Sequence, residues 1–316
     1  MTAIDSHNGC LKDAGNKSGL LMLANNQGRS LFLLPTAPAK ATLLQPQEVI
    51  LGMFGEYVER RERVWSGGIV SLLGDLGFST GAARVALNRV VARGLLKPVR
   101  RGKYVYYSIT PRLAAVHHEG RRQTFALTHD IKWDGDWTLV WYSIPEAQRV
   151  QRGRLSRWLN FQGFGSLQDG TWLASGNREG DVAKLARNLN LEKSIIILVG
   201  RLGDSIPIES VIARVWNVDQ LSKMYNVFIR EFSPYGTATA LKKLNPAEAF
   251  SVRTRAIELF RKTTAQDPKL PDSAMDVEWR RSNAIKLFDA VQRDLYPIAY
   301  AHFRDSAGPG SELKDA

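Results

Sequence analysis

The clearest hydrophobic pattern in the chain runs from Trp65 to Tyr107. Ile69, Val70, Leu72 and Leu73 repeat at helical spacing, with Ser66 as the natural N-cap and Gly77 as the stop, so they predict a short helix. A second helix starts almost at once, capped by Ser79 or Thr80. Ala83, Ala86, Leu87 and Val90 fall on its inward arc, while Gly81, Arg84, Val85, Asn88 and Ala92 fall on the opposite one, with Arg89 and Arg93 at its edge. Strand LKPV, a turn at Arg100, Arg101, Gly102 and Lys103, and the alternating run from Tyr104 to Ile109 then predict a two-stranded hairpin. Upstream, Pro46 opens a helix through about Arg61 whose buried side is Val49, Ile50, Met53, Phe54 and Tyr57. Together these elements predict a winged helix-turn-helix.

Further along, the period changes. After a helix from Thr110 and Pro111 to about Leu127, a turn at Trp133, Asp134, Gly135, Asp136 and Trp137 opens a new unit. Its pattern is a strand (Thr138 to Ile144), a basic helix (Glu146 to Phe161), a short strand after Gly163, a strand (Thr171 to Ala174), a helix (Asp181 to Leu189) and a strand (Ser194 to Val199). The order is βαββαβ, a split-βαβ or ferredoxin-like layout with helices on one sheet face and the other face left for a partner or another domain. The tryptophans at 133 and 137 are expected as packing anchors. From about Ile208 the chain is helical, with helices expected at Pro246 to about Lys262 and Trp279 to Phe303. The predicted organisation is an α+β chain: a flexible extension 1–44, a DNA-binding unit 45–112, a linker helix 113–132, a ferredoxin-like unit 133–204, a helical unit 205–305 and a frayed tail 306–316.

Charge gives the first helix pair and hairpin a purpose. The chain of 316 residues carries a formal net charge of +12, which favours a polyanionic partner. From Ser79 to Arg112 the basic residues are Arg84, Arg89, Arg93, Lys97, Arg100, Arg101, Lys103 and Arg112, with no Asp or Glu among them. A basic cluster is commonly just a solvated face. Here helix order, turn, hairpin and charge agree, and the outer helix face offers cations, an amide and small apolar groups of the kind a major groove accepts. The candidate DNA-binding residues are Ser79, Thr80, Arg84, Val85, Asn88 and Arg89 on the helix and Arg100, Arg101 and Lys103 on the wing. The partner they imply is double-stranded operator DNA.

Other chemistries find little support. The single cysteine, Cys10, excludes an internal disulfide or a cysteine zinc cluster, and no apolar run approaches the ~20 residues of a membrane span, so a cytoplasmic protein is expected. His7, His117, His118, His129 and His302 form no triad or metal spacing. Neither catalytic residues nor a metal or cofactor site is expected.

Several motifs lie in a familiar order: Leu76-Gly77-Phe78, Arg84-x-Ala86-Leu87-x-Arg89, Trp133-Asp134-Gly135-x-Trp137, Gly163-Phe164-Gly165, Trp216 with Tyr225 and Phe228, and Asp267-Pro268-x-Leu270-Pro271 with Trp279 and Ala284. Collinear from about Pro46 to Phe303, they resemble the PaaX family of bacterial repressors of the phenylacetate-degradation type. The resemblance implies a dimeric DNA-binding repressor of a catabolic operon, released by a pathway metabolite such as an acyl-coenzyme A thioester of an aromatic acid. It also implies a Cas2-like central fold. One position departs from the family's pattern: Arg281 stands where glycine is usual after the tryptophan. The resemblance maps no effector pocket, but cations outside the DNA-binding unit could meet a coenzyme's phosphates: Arg149, Arg152, Arg154, Arg157, Arg253, Arg255, Arg261 and Lys262.

The rival reading is a Cas2-like metal-dependent nuclease. Such chemistry needs a carboxylate near the end of the first central strand, and Ser143 occupies that place.

Overall fold

The computed structural model describes residues 44–59, 62–128, 133–237, 241, 243–275 and 280–308. The extension up to residue 43, with Cys10 and His7, lies outside them, as do Arg61, His129, Trp279 and residues 309–316.

Helix α1 (Pro46–Tyr57) buries Val49, Ile50, Met53, Phe54 and Tyr57 as its spacing predicts. It ends at Tyr57, short of the expected Arg61. Leu44, expected within the extension, is buried against the same core. Helix α2 (Ser66–Asp75) begins with Ser66 in its first turn, and Trp65 holds the cap position. The reason is strand β1 (Val64–Trp65), which pairs with Tyr107 and Tyr106 and holds Trp65 extended up to the helix. The hairpin therefore has a third strand that the sequence pattern does not predict.

Gly77, at φ 86°, ends α2 in the left-handed region. Helix α3 (Thr80–Ala92) follows, capped by Ser79, whose Oγ accepts from the Ala82 N–H at 3.2 Å. Strands β2 (Leu96–Arg101) and β3 (Tyr104–Ile109) form an antiparallel ladder that runs to the Arg101–Tyr104 pair. The turn is thus tighter than expected: only Gly102 and Lys103 form it, with Gly102 at φ 57°, and Arg100 and Arg101 belong to the strand. Helix α4 (Pro111–Thr128) leads away from the hairpin, tied back by Thr110 Oγ1 donating to the Leu95 carbonyl at 3.0 Å.

The central region holds a four-stranded antiparallel sheet. Strands β4 (Trp137–Tyr142), β5 (Gly165–Gln168), β6 (Thr171–Ser175) and β7 (Ile195–Gly200) are ordered β5-β6-β4-β7. The first strand starts one residue earlier than its pattern suggests and ends at Tyr142. A 3-10 turn at Glu146–Gln148 precedes helix α5 (Arg149–Phe161), so that helix starts later than expected. With helix α6 (Glu179–Leu189) it covers one sheet face, where Val140, Leu155, Leu159, Ala174 and Val182 meet.

The second face is covered from within the chain. Helix α7 (Ile208–Val215) places Ile212, Val215 and Trp216 with Leu270 against Trp137 and Leu173. Trp137 stands edge-on to Trp133 and tilted to Trp216, so the tryptophans are packing anchors. That cover stops short of the β7 edge, where Trp141, Ile196 and Leu198 stay exposed.

Helix α8 (Val218–Phe232) is separated from α7 by a break at Trp216 and Asn217, and Asn217 caps it. Helices α9 (Pro246–Thr264) and α10 (Arg281–Ser306) complete the chain. Asn245 and Glu248 fix the start of α9 in a reciprocal capping box. Helix α10 passes through Pro297 without ending. Its C-terminal half returns to the start of the fold. Phe250, Ala299, Phe303 and Ala307 share one core with α1, α2 and α3, and the Trp65 N–H donates to the Ala307 carbonyl at 2.9 Å. Ala307, expected in a frayed tail, is therefore built into this core, and Ser306 is the last residue of α10.

Candidate nucleic-acid interface

The sequence spacing of α3 translates directly into burial. Ala83, Ala86, Leu87 and Val90 are buried, and Arg84, Val85, Asn88, Arg89 and Ala92 are exposed. Ser79 and Thr80 are exposed at its N-terminus, and Arg100, Arg101 and Lys103 at the hairpin end. The Lys103 ammonium stands 5.3 Å from the centroid of the Tyr104 ring.

Arg84 and Asn88 line a groove of about 250 Å³ with Val70 of α2 and Val105 and Tyr107 of β3. Helix and hairpin thus share one groove, with Arg84 as the cation in its lining. Val85 and Arg89 lie beside that groove on the same exposed side of α3. The short strand β1 tightens this arrangement by clamping β3 to the start of α2, a contribution that sequence pattern misses because two residues carry no periodicity.

Other candidates are redistributed by their surroundings. Arg253 is buried between the rings of Tyr57 and Tyr296, with its guanidinium 3.0 Å from Glu56. Arg255 pairs with Glu231, Arg261 with Glu258 and Lys262 with Glu48. Arg149 and Arg152 both face Glu146. Arg154 and Arg157 stand exposed on α5 and have no ion pair among the described residues. His117 places Nε2 2.8 Å from the Leu51 carbonyl, a helix-to-helix contact between α4 and α1. Ser143 follows β4, its N–H bonded to the Ser194 carbonyl.

Arg281 is the centre of a buried network. Its Nη1 lies 3.0 Å from Asp267 Oδ1, its Nη2 donates to the Leu270 carbonyl at 2.5 Å, and Asp272 closes on the same guanidinium. Tyr225 donates to Asp267 Oδ2 at 2.6 Å, and the Lys269 N–H donates to Oδ1 at 2.7 Å. Burial, reinforced by the Asp267 charge, pushes the Tyr225 phenol well above its usual value, so it stays a donor. For Arg281 burial works the other way, but Asp267 and Asp272 outweigh it and hold the guanidinium charged. The same segment reaches the sheet, because Ser175 donates to the Pro268 carbonyl at 2.8 Å.

The molecule mixes helix and sheet, and its antiparallel central sheet falls within the stretch that matches a Cas2-like domain model. Three family models match in succession: PaaX-like protein over residues 45–113, PaaX protein central Cas2-like domain over 130–212, and PaaX-like protein C-terminal domain over 216–305. The chain belongs to the PaaX family. It is 24% identical over 260 residues to the transcriptional repressor PaaX of Escherichia coli (strain K12), spanning 80% of this chain and 81% of that protein. Among solved structures it is similar to the uncharacterized protein Rv0674 from Mycobacterium tuberculosis, with TM-score 0.50 and 18% identity over 83% of this chain and 99% of the other, a likeness of fold alone. No helix among the described residues is long and apolar enough to cross a membrane.

Proposed function

We propose that the chain is a sequence-specific DNA-binding repressor of a catabolic operon, built as a winged helix-turn-helix, a ferredoxin-like central unit and a helical C-terminal unit. One observation carries the reading: Arg84, Val85, Asn88 and Arg89 are exposed together on α3, beside Arg100, Arg101 and Lys103 on the adjoining hairpin. In this reading α3 enters the major groove with its N-terminal end near the bases, and the wing cations take phosphates.

One such helix reads too few base pairs to single out a genomic site, so the working form is a homodimer on an inverted repeat, with half-sites about one helical turn apart or a multiple of it. Release follows from a small-molecule effector, an acyl-coenzyme A thioester of an aromatic acid. Arg154 and Arg157 are the cations best able to meet its phosphates, because the others considered already have acidic partners.

The test is fluorescence anisotropy of the full chain against the DNA upstream of its own and adjacent genes, with light scattering for stoichiometry and paired thioesters and free acids as effectors. Saturable binding to one fragment by two chains, reversed by a thioester, is the expected result. Equal affinity for every fragment would overturn the repressor reading.

A further inference from the structure

A cavity of about 390 Å³ lies where α1, α4, α9 and α10 meet the end of α5. Its wall is mainly apolar, formed by Leu51, Val116, Phe161, Ile257 and Phe288. Gln292 adds the polar feature: its amide oxygen has no hydrogen-bond partner among the described residues and lies covered just behind the wall, so a ligand reaches it once the terminal amide turns toward the cavity. Burying an acceptor in this way is costly unless a donor meets it.

The charged groups at the wall are already committed. Glu56 lies 3.0 Å from Arg253, and Arg261 lies 3.0 Å from the buried Glu258. Asp289 adds a second carboxylate to the lining. An anionic ligand would meet two carboxylates and one occupied guanidinium, so the chemistry selects against it. Closely approaching helices frame the space: a Cβ at Gly52 would fall 2.3 Å from Glu258 Oε1, and one at Gly55 3.0 Å from the His117 ring.

We infer that this cavity is a small-molecule site for an uncharged, ring-sized apolar group carrying one hydrogen-bond donor, which the Gln292 amide oxygen accepts. The inference deepens the effector reading above and rests on it for its regulatory meaning. Any phosphorylated portion of an effector stays outside. Because α1 forms one wall and shares its core with α3, a ligand here is in contact with the helix that supports the proposed recognition helix. Occupancy that favours one setting of α1 changes operator affinity by the ratio of its affinities for the two settings.

The probes are indole, which has one N–H donor, and indene, a hydrocarbon of the same shape, followed by ligand-detected NMR on the full chain. Indole is expected to bind roughly tenfold more tightly than indene, the worth of one buried hydrogen bond. Gln292→Leu should abolish that difference while both ligands still bind. Gly120→Leu should cut binding of both by at least about tenfold, since Gly120 lines the cavity and has open space where a side chain would go. Val116→Trp is a second filling variant, and far-ultraviolet circular dichroism checks that each variant folds. Saturating indole should change operator affinity in the parent chain and not in Gly120→Leu.

Indole binding that survives both filling variants would overturn the site. Equal binding of indole and indene would overturn the role of Gln292. A parent chain that binds indole but, with no ligand present, binds no DNA fragment in preference to the others would sink the repressor reading and leave the cavity standing, so the two failures are separable.

Discussion

Arg281 and Asp267 form an ion pair at 3.0 Å in which the arginine is 3% and the aspartate 0% exposed. The pair fastens the Asp267 to Leu270 segment to the first turn of α10, and through Ser175 that segment also holds the sheet. Without Arg281, Asp267 would be left buried without its cation. Arg281→Met is expected to destabilise by about 3–5 kcal/mol, since it strands a buried charge. Tyr225→Phe removes one donor from the same carboxylate and should cost about 1–3 kcal/mol. Denaturant midpoints at constant slope measure both.

The two parts of the proposed DNA surface should fail differently. Arg84→Ala is expected to lose about 1–3 kcal/mol of operator affinity and to relax sequence preference, while Arg100→Ala should weaken all duplexes alike and lower the salt slope by about one unit. Anisotropy titrations over a range of salt separate these patterns. An Arg84→Ala protein that binds its operator as tightly as the parent would refute the assignment of α3.

Glu258 gives the fold a pH dependence. Burial pushes its carboxyl above the usual 4.5, with Arg261 pulling in the opposite direction. The folded chain therefore keeps this proton to higher pH than the unfolded chain, and native stability declines as pH rises from 4.5 through the raised folded value. Glu258→Gln should remove that part of the slope, melting higher than the parent at neutral pH, with the advantage shrinking as pH falls. Calorimetry across the acid range tests it, and parallel melting curves at every pH would show that this carboxyl contributes nothing.

Gly68 has a packing role. A Cβ there would fall 2.0 Å from the Ser306 carbonyl oxygen, so Gly68→Ala must push α2 away from the end of α10. Overpacking of this sort costs about 1–3 kcal/mol. A lowered melting temperature is expected, together with weaker operator binding, because α2 carries part of the groove beside Arg84.

Helix α3 was readable residue by residue, because its two faces follow a local period of 3.6 and its cap, Ser79, directly precedes its first turn. The central strand order could likewise be anticipated from alternating runs and glycines. Strand β1 could not, since its identity as a strand depends on Tyr106 and Tyr107, some forty residues away. The same holds for the partner of Arg281, which adjacent sequence does not indicate, and for the core that α1 shares with Phe303. Contacts at such separation leave no periodic trace. The cavity at Gln292 was invisible for a related reason, as its wall comes from five helices and no segment of it is distinctive alone.

The return of α10 to the opening helices gives the chain an order of completion. Trp65 waits for Ala307, Glu62 for Arg304 and Asp75 for His302, each of them a partner made some 230 residues later or more. During synthesis the helices proposed to read DNA leave the ribosome first, yet the core beneath them has gaps where Ala299, Phe303 and Ala307 belong. A nascent or prematurely terminated chain is therefore a poor competitor for the operator, and a nonsense mutation within the last helix should behave as loss of the regulator rather than as a fragment that holds DNA without responding to signals.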